Sequence, residues 1–88
     1  MELRLCYITK DGDNYIACGV LYNFMNERID FIKTDPIREI YSINESYYIS
    51  TTDNKIYCIP LDSALITEAE LLQIAKSIKS WLFKYLMI

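Results

Sequence analysis

Twelve carboxylates, eight tyrosines and three cysteines are the side chains of this 88-residue chain best able to do chemistry, and there is no histidine among its residues. Without an imidazole, the base, shuttle and ligand roles that depend on one are excluded from the chain acting alone, which removes most hydrolase and zinc chemistry. Cys6, Cys18 and Cys58 have no histidine to activate them, and each sits in an apolar, strand-like run that should keep its thiol protonated. They read as buried structural thiols. The carboxylates are scattered over turns and outward strand positions, and a general acid and base pair such as Asp30 with Glu39 would need the two to lie on neighbouring strands. Asp11, Asp13 and Asn14 share a turn, yet Tyr15 stands where a calcium loop needs its third ligand and no closing glutamate follows in register. Two glycines, far apart, cannot build a phosphate cradle. The expectation is a non-catalytic chain with no cofactor and no metal site.

The elements that would position these residues follow from spacing. Residues 3–9 alternate, with Leu3, Leu5 and Tyr7 on one face and Arg4, Cys6 and Ile8 on the other, the period of a strand. Asp11-Gly12-Asp13-Asn14 supplies a turn, and Tyr15 to Phe24 forms a second, longer run with Gly19 where the strand must bend or admit a close neighbour. Arg28 to Lys33 alternates, with the charges expected outward and Ile29 and Phe31 inward, until Thr34-Asp35-Pro36 stops it. Ile37 to Ile43, Tyr47 to Thr51 and Lys55 to Pro60 are three further extended runs, parted by Asn44-Glu45-Ser46 and Asp53-Asn54. Thr67-Glu68-Ala69-Glu70 is a capping box, with Ile66 and Leu71 at the staple positions, and Leu71, Ile74, Ala75, Ile78, Leu82 and Tyr85 make one apolar stripe. The expected fold is α+β and mostly β: about six antiparallel strands in a small curled sheet, barrel or sandwich, followed by one C-terminal amphipathic helix over 67–86. Residues 1–88 make a single domain.

Charge and aromatic content point to the kind of partner. The chain carries a net charge of −3, which disfavours direct binding to nucleic-acid phosphates. Residues 1–75 hold all twelve acids and six bases, whereas Lys76, Lys79 and Lys84 close the chain without an acid. An acidic body of this kind is a surface for a basic protein partner, and Asp30, Glu39 and Glu45 are its candidate contacts. Tyr41 and Tyr48 join them, because tyrosine supplies rigid, amphipathic contact area. Tyr47 and Tyr48 are adjacent and must point to opposite faces of their strand. Trp81, Phe83, Met87 and Ile88 overflow the inner face of the helix and suggest a homodimer or a partner groove. The longest terminal apolar piece is too short to span a bilayer, and an unpaired, odd set of cysteines suits a reducing compartment, so a membrane is not expected and a cytoplasmic location is.

From Pro36 onward, the runs Ile37-Arg38-Glu39-Ile40-Tyr41, Tyr47-Tyr48-Ile49 and Lys55-Ile56-Tyr57-Cys58-Ile59-Pro60, followed by a loop and helix, resemble the closing half of a bacterial pleckstrin-homology-like domain of the YcxB-like type. The resemblance covers about half the chain and implies a binding scaffold rather than an enzyme, although that fold has seven strands where six are read here. The leading expectation is a small, non-catalytic protein-binding module acting through an acidic, tyrosine-bearing β surface and an apolar helix end. Its finer form is a phage or mobile-element inhibitor of a host nucleic-acid-handling enzyme, since clustered carboxylates can occupy a phosphate channel. The alternatives are a pleckstrin-homology-like adaptor that binds a membrane surface or small ligand, and a small carboxylate-based enzyme.

Overall fold

The structure, a computed structural model, describes residues 1–23, 25 and 27–86, with side chains described as far as Ile78 except that of Asn23. Six strands, β1 (Arg4–Asp11), β2 (Asn14–Asn23), β3 (Arg28–Lys33), β4 (Ile37–Ile43), β5 (Ser46–Thr51) and β6 (Ile56–Ile59), precede a short 3-10 turn at Leu61–Ser63 and the helix α1 (Glu68–Leu86). They form two three-stranded antiparallel sheets, β1-β2-β3 and β4-β5-β6. The meander expected from sequence therefore divides at Asp35 and Pro36 and does not close into a barrel. Proline cannot donate to a ladder, and β3 and β4 do not pair.

Turn residues set each register. Gly12 takes φ 65° between Asp11 and Asn14, which face each other across the first hairpin. Asn44 and Glu45 both have positive φ, 50° and 68°, as a two-residue turn with right-handed strand twist demands, and they bring Ile43 opposite Ser46. Asn54 at φ 65° lets Thr51 receive its turn bonds: the Thr51 amide donates to the Lys55 carbonyl at 3.0 Å, and the Thr51 hydroxyl donates to the Asp53 carboxylate. That hydrogen bond holds the Asp53 carboxyl below its usual pKa.

The core lies mainly between the second sheet and the helix. Ile37, Ile40, Ile49, Tyr57 and Ile59 are buried there with Ile66 and Leu71, while the first sheet contributes Cys6 and Ala17. The capping box forms as expected: the Glu70 amide donates to the Thr67 hydroxyl at 3.2 Å and the Thr67 amide to the Glu70 carboxylate at 3.4 Å. Ile66 and Leu71 are buried on either side of it, and Ile74, Ala75 and Ile78 extend the same stripe against the core. Leu82 and Tyr85 of that stripe lie outside the described side chains.

The chain's first residues join the two sheets. The Leu3 amide donates to the Cys58 carbonyl at 2.8 Å and the Cys58 amide to the Met1 carbonyl at 2.7 Å, so residues 1–3 run parallel to β6 as a short extra strand. Leu3 is fully buried between the layers. To pass from one sheet to the other the backbone turns at Leu5, φ 51°, where the β1-β2 register also shifts. A non-glycine residue adopts this conformation at a cost of about 1 to 3 kcal/mol, offset here by the burial of Leu3. Gly19 admits the close neighbour this turn creates: a Cβ there would stand 2.7 Å from both the Arg4 carbonyl oxygen and the Leu3 Cγ.

Two expected strand faces are corrected. The turn at Leu5 breaks alternation in β1, leaving Leu5 and Tyr7 exposed while Leu3 and Cys6 are buried. In β3 the phase is inverted: Ile29 and Phe31 point outward at 69% and 66% exposure, and Asp30 and Ile32 are half-buried. The β2-β3 hairpin sets this, because Leu21 and Gly19 on the inner face of β2 stand opposite Asp30 and Ile32.

Candidate functional site

The outer face of the second sheet gathers most of the residues singled out from sequence. Tyr41 pairs with Tyr48 across β4-β5 and Tyr48 with Cys58 across β5-β6, while Glu39 pairs with Ser50 and Ser50 with Ile56. Alternation places these six side chains on the side away from the core, because their neighbours Ile40, Ile49 and Tyr57 are buried. A register shift between Ile37 and Glu39 inserts one extra residue, which is why Ile37 and Ile40 both face inward while Glu39 faces out.

At the centre of this face the Tyr41 and Tyr48 rings stack with centroids 5.6 Å apart and planes 17° from parallel. A cross-strand aromatic pair adds on the order of 0.2 to 1 kcal/mol to the hairpin and fixes both rings as one rigid, half-buried platform. Ile43 and Ile56, each about half exposed, flank the platform, and Glu39 offers a carboxylate one pair away on the same strand as Tyr41. Glu2 joins the margin through its bridge to Cys58, held by Arg4 at 3.3 Å. Aromatic rings, two phenol hydroxyls and carboxylates on a half-buried sheet can bind a cationic or amphipathic partner; they hold no acid and base pair set to move a proton.

The other two acidic candidates lie elsewhere. Glu45 occupies the tip of the β4-β5 turn, beyond Ile43 and exposed to solvent. Asp30 belongs to the first sheet, where Arg28 binds it at 2.9 Å. Asp30 and Glu39 therefore sit on different sheets rather than on neighbouring strands, and the acid and base pair considered from sequence is not assembled. Tyr47 turns to the opposite face from Tyr48, where burial and the Glu68 carboxylate at the start of α1 push its phenol pKa up. Lys76 is exposed on α1. The side chains of Trp81 and Phe83, like those of Lys79 and Lys84, and all of Met87 and Ile88, lie outside the described residues.

All three cysteines are free, with Cys6 and Cys18 buried and Cys58 half-buried. Burial, and secondarily Cys18, push the Cys6 thiol up to about 12, the state of an inert core thiol. Among the described residues no three His, Cys, Asp or Glu side chains gather to hold a metal ion, and no helix is long and apolar enough to cross a membrane.

Sequence reasoning missed the outer face of the first sheet. Val20 opposes Phe31 and Tyr22 opposes Ile29, so large side chains line the solvent side of β2 and β3. Beside them, where the residues before Arg4 leave β2 for β6, a notch of about 890 Å³ opens between Glu2, Arg4, Val20 and Ile29. The signal was present in β2, whose run from Tyr15 to Leu21 is apolar on both alternating faces.

Compared with known proteins, the chain matches no family model, no curated protein and no solved structure.

Proposed function

We propose that the protein is a non-catalytic binding module that engages a protein partner through the outer face of its second sheet. The observation that carries this reading is the stacked Tyr41–Tyr48 pair, half-buried on the outer face and flanked by Glu39, Ile43 and Ile56. Rigid tyrosines bind at little cost in side-chain entropy, and a carboxylate beside them selects a basic contact. Lysine or arginine side chains of the partner would lie over the rings while pairing with Glu39 and, at the turn tip, Glu45. In the finer form of this proposal the partner is a nucleic-acid-handling enzyme, whose phosphate channel is basic for the same physical reason.

The test is affinity capture with the purified chain, reading bound proteins by mass spectrometry. Partners of this face should be lost from a Tyr41→Ala/Tyr48→Ala variant and from Glu39→Lys, weakened at roughly 0.5 M salt, where charges are screened within about a Debye length, and retained by Ile29→Lys on the other sheet. A partner set that ignores all three perturbations of the second sheet would sink the proposal. Displacement by a short DNA duplex would support the channel form. Binding to anionic vesicles, with no protein captured, would instead favour the pleckstrin-homology-like adaptor.

A further inference from the structure

The first sheet ends in an open edge. β3 pairs with β2 on one side, and among the described residues no strand and no backbone hydrogen bond meets its other side. The direction of its peptide groups is set by Thr34, whose amide donates to the Ala17 carbonyl at 2.8 Å. In an antiparallel strand alternate residues turn both their N–H and C=O to opposite edges. Thr34, Ile32 and Asp30 therefore face β2, and Lys33, Phe31 and Ile29 present three donors and three acceptors to the open side. The same two apolar residues, Ile29 and Phe31, are those that project outward from the sheet. An edge of this kind is a template for another strand.

We propose that the edge of β3 is a self-association surface, and that its occupant is the β3 strand of a second copy of this chain, paired antiparallel about a two-fold axis at Phe31. The arrangement of side chains along the strand selects both the partner and the register. With Phe31 opposite Phe31 of the second copy, Ile29 stands opposite Lys33, Asp30 opposite Ile32 and Arg28 opposite Thr34, so no like charges face each other. All three outward residues on each strand are satisfied, giving six backbone hydrogen bonds. Sliding the pair by one residue on each strand would set Asp30 against Asp30 in one direction and, in the other, Ile32 against Ile32 with Ile29 opposite Asp35 beyond the end of the partner strand, which loses backbone pairs; like charges directly opposite are destabilising. In the selected register the Lys33 stem covers Ile29 while its ammonium reaches the diagonal Glu27, which is exposed in the turn before β3. The product is a continuous six-stranded sheet with Val20, Ile29 and Phe31 of both copies on one face. This surface is separate from the tyrosine platform of the second sheet, so either can fail without the other.

The test is the mass of the purified chain by light scattering over a dilution series, with amide hydrogen exchange at Ile29, Phe31 and Lys33. Twice the 10.4 kDa of one chain is expected at the concentrated end, with exchange at those three amides slowing as the dimer fills. Phe31→Lys, which sets two ammonium groups across the axis, should restore the monomer mass and fast exchange. Phe31→Pro should do the same, since the N–H it removes has no partner inside the sheet. Trp81→Ser, at the helix end, should leave the dimer intact. A monomer at every concentration, or a dimer that persists in both Phe31 variants, would overturn the proposal, and so would a dimer abolished by Trp81→Ser alone.

Discussion

The two sheets are built alike, each a three-stranded antiparallel meander, yet they spend their large side chains in opposite directions. The second turns Ile37, Ile40, Ile49, Tyr57 and Ile59 inward against α1 and keeps mixed polar and aromatic residues outside. The first turns cysteine, alanine and glycine inward at Cys6, Ala17 and Gly19, and sets Phe31 and Ile29 outside. Small inward residues let the two layers approach with Leu3 between them; the large residues they displace end on the surface. One sheet thus supplies most of the fully buried core, and the other packs mainly small or half-buried side chains such as Leu21 and Ile32 against it while carrying apolar surface that is available for association.

The sharpest way to break this contrast is a pair of matched truncations. Ile49→Ala, at a fully buried position in the central strand of the second sheet, should cost about 2 to 5 kcal/mol in urea unfolding. Phe31→Ala removes a larger side chain from the first sheet and should change the stability of the monomer by less than about 0.5 kcal/mol, as exposed sites do. Comparable losses would mean that Phe31 is packed as tightly as Ile49 and is not on the surface. A smaller effect sharpens the point about close approach: Gly19→Ala should destabilise by about 1 to 3 kcal/mol, because its methyl meets a backbone oxygen that cannot swing aside. A fully wild-type unfolding midpoint for this variant would show that the layers are not in tight contact there.

A further expected effect is confined to the alkaline side. The Cys6 thiol is raised from 9.0 to about 12, so the fold favours its protonated form. That contribution is complete below the ordinary thiol range and is lost as pH rises from about 9 towards 12. Wild type should therefore lose stability faster than Cys6→Ala over that window, measured as the difference in urea midpoint at each pH. Equal slopes would place Cys6 in contact with water, and the inward face of the first sheet with it.

Much of the fold was legible because it is local. Asp11-Gly12, Asn44-Glu45 and Asp53-Asn54 announce turns by their tolerance of positive φ, and each lies where a hairpin reverses. Thr67 and Glu70 mark the start of α1 by a reciprocal pairing that needs only four consecutive residues. Tyr41 and Tyr48 could be nominated for an exposed surface, though their stacking depends on the register fixed by the turn between them. The phase of β3 was misleading in the sequence, since the alternation of Arg28 to Lys33 favours Ile29 and Phe31 inward, whereas Gly19 and Leu21 across the hairpin set the opposite phase. Nor could alternation survive the reversal at Leu5, whose cause is Cys58, some fifty residues away.

That distant tie has a temporal side. Residues 1–3 find their hydrogen-bonding partner only when Cys58, about 55 residues further along the chain, has been made, and closing a loop of that length is slow compared with forming any of the hairpins. Each meander can assemble from its own turns as it emerges, while Leu3 waits in solvent. Leu3 is thus among the last residues to be placed, and seating it joins two nascent ribbons into one cooperative unit.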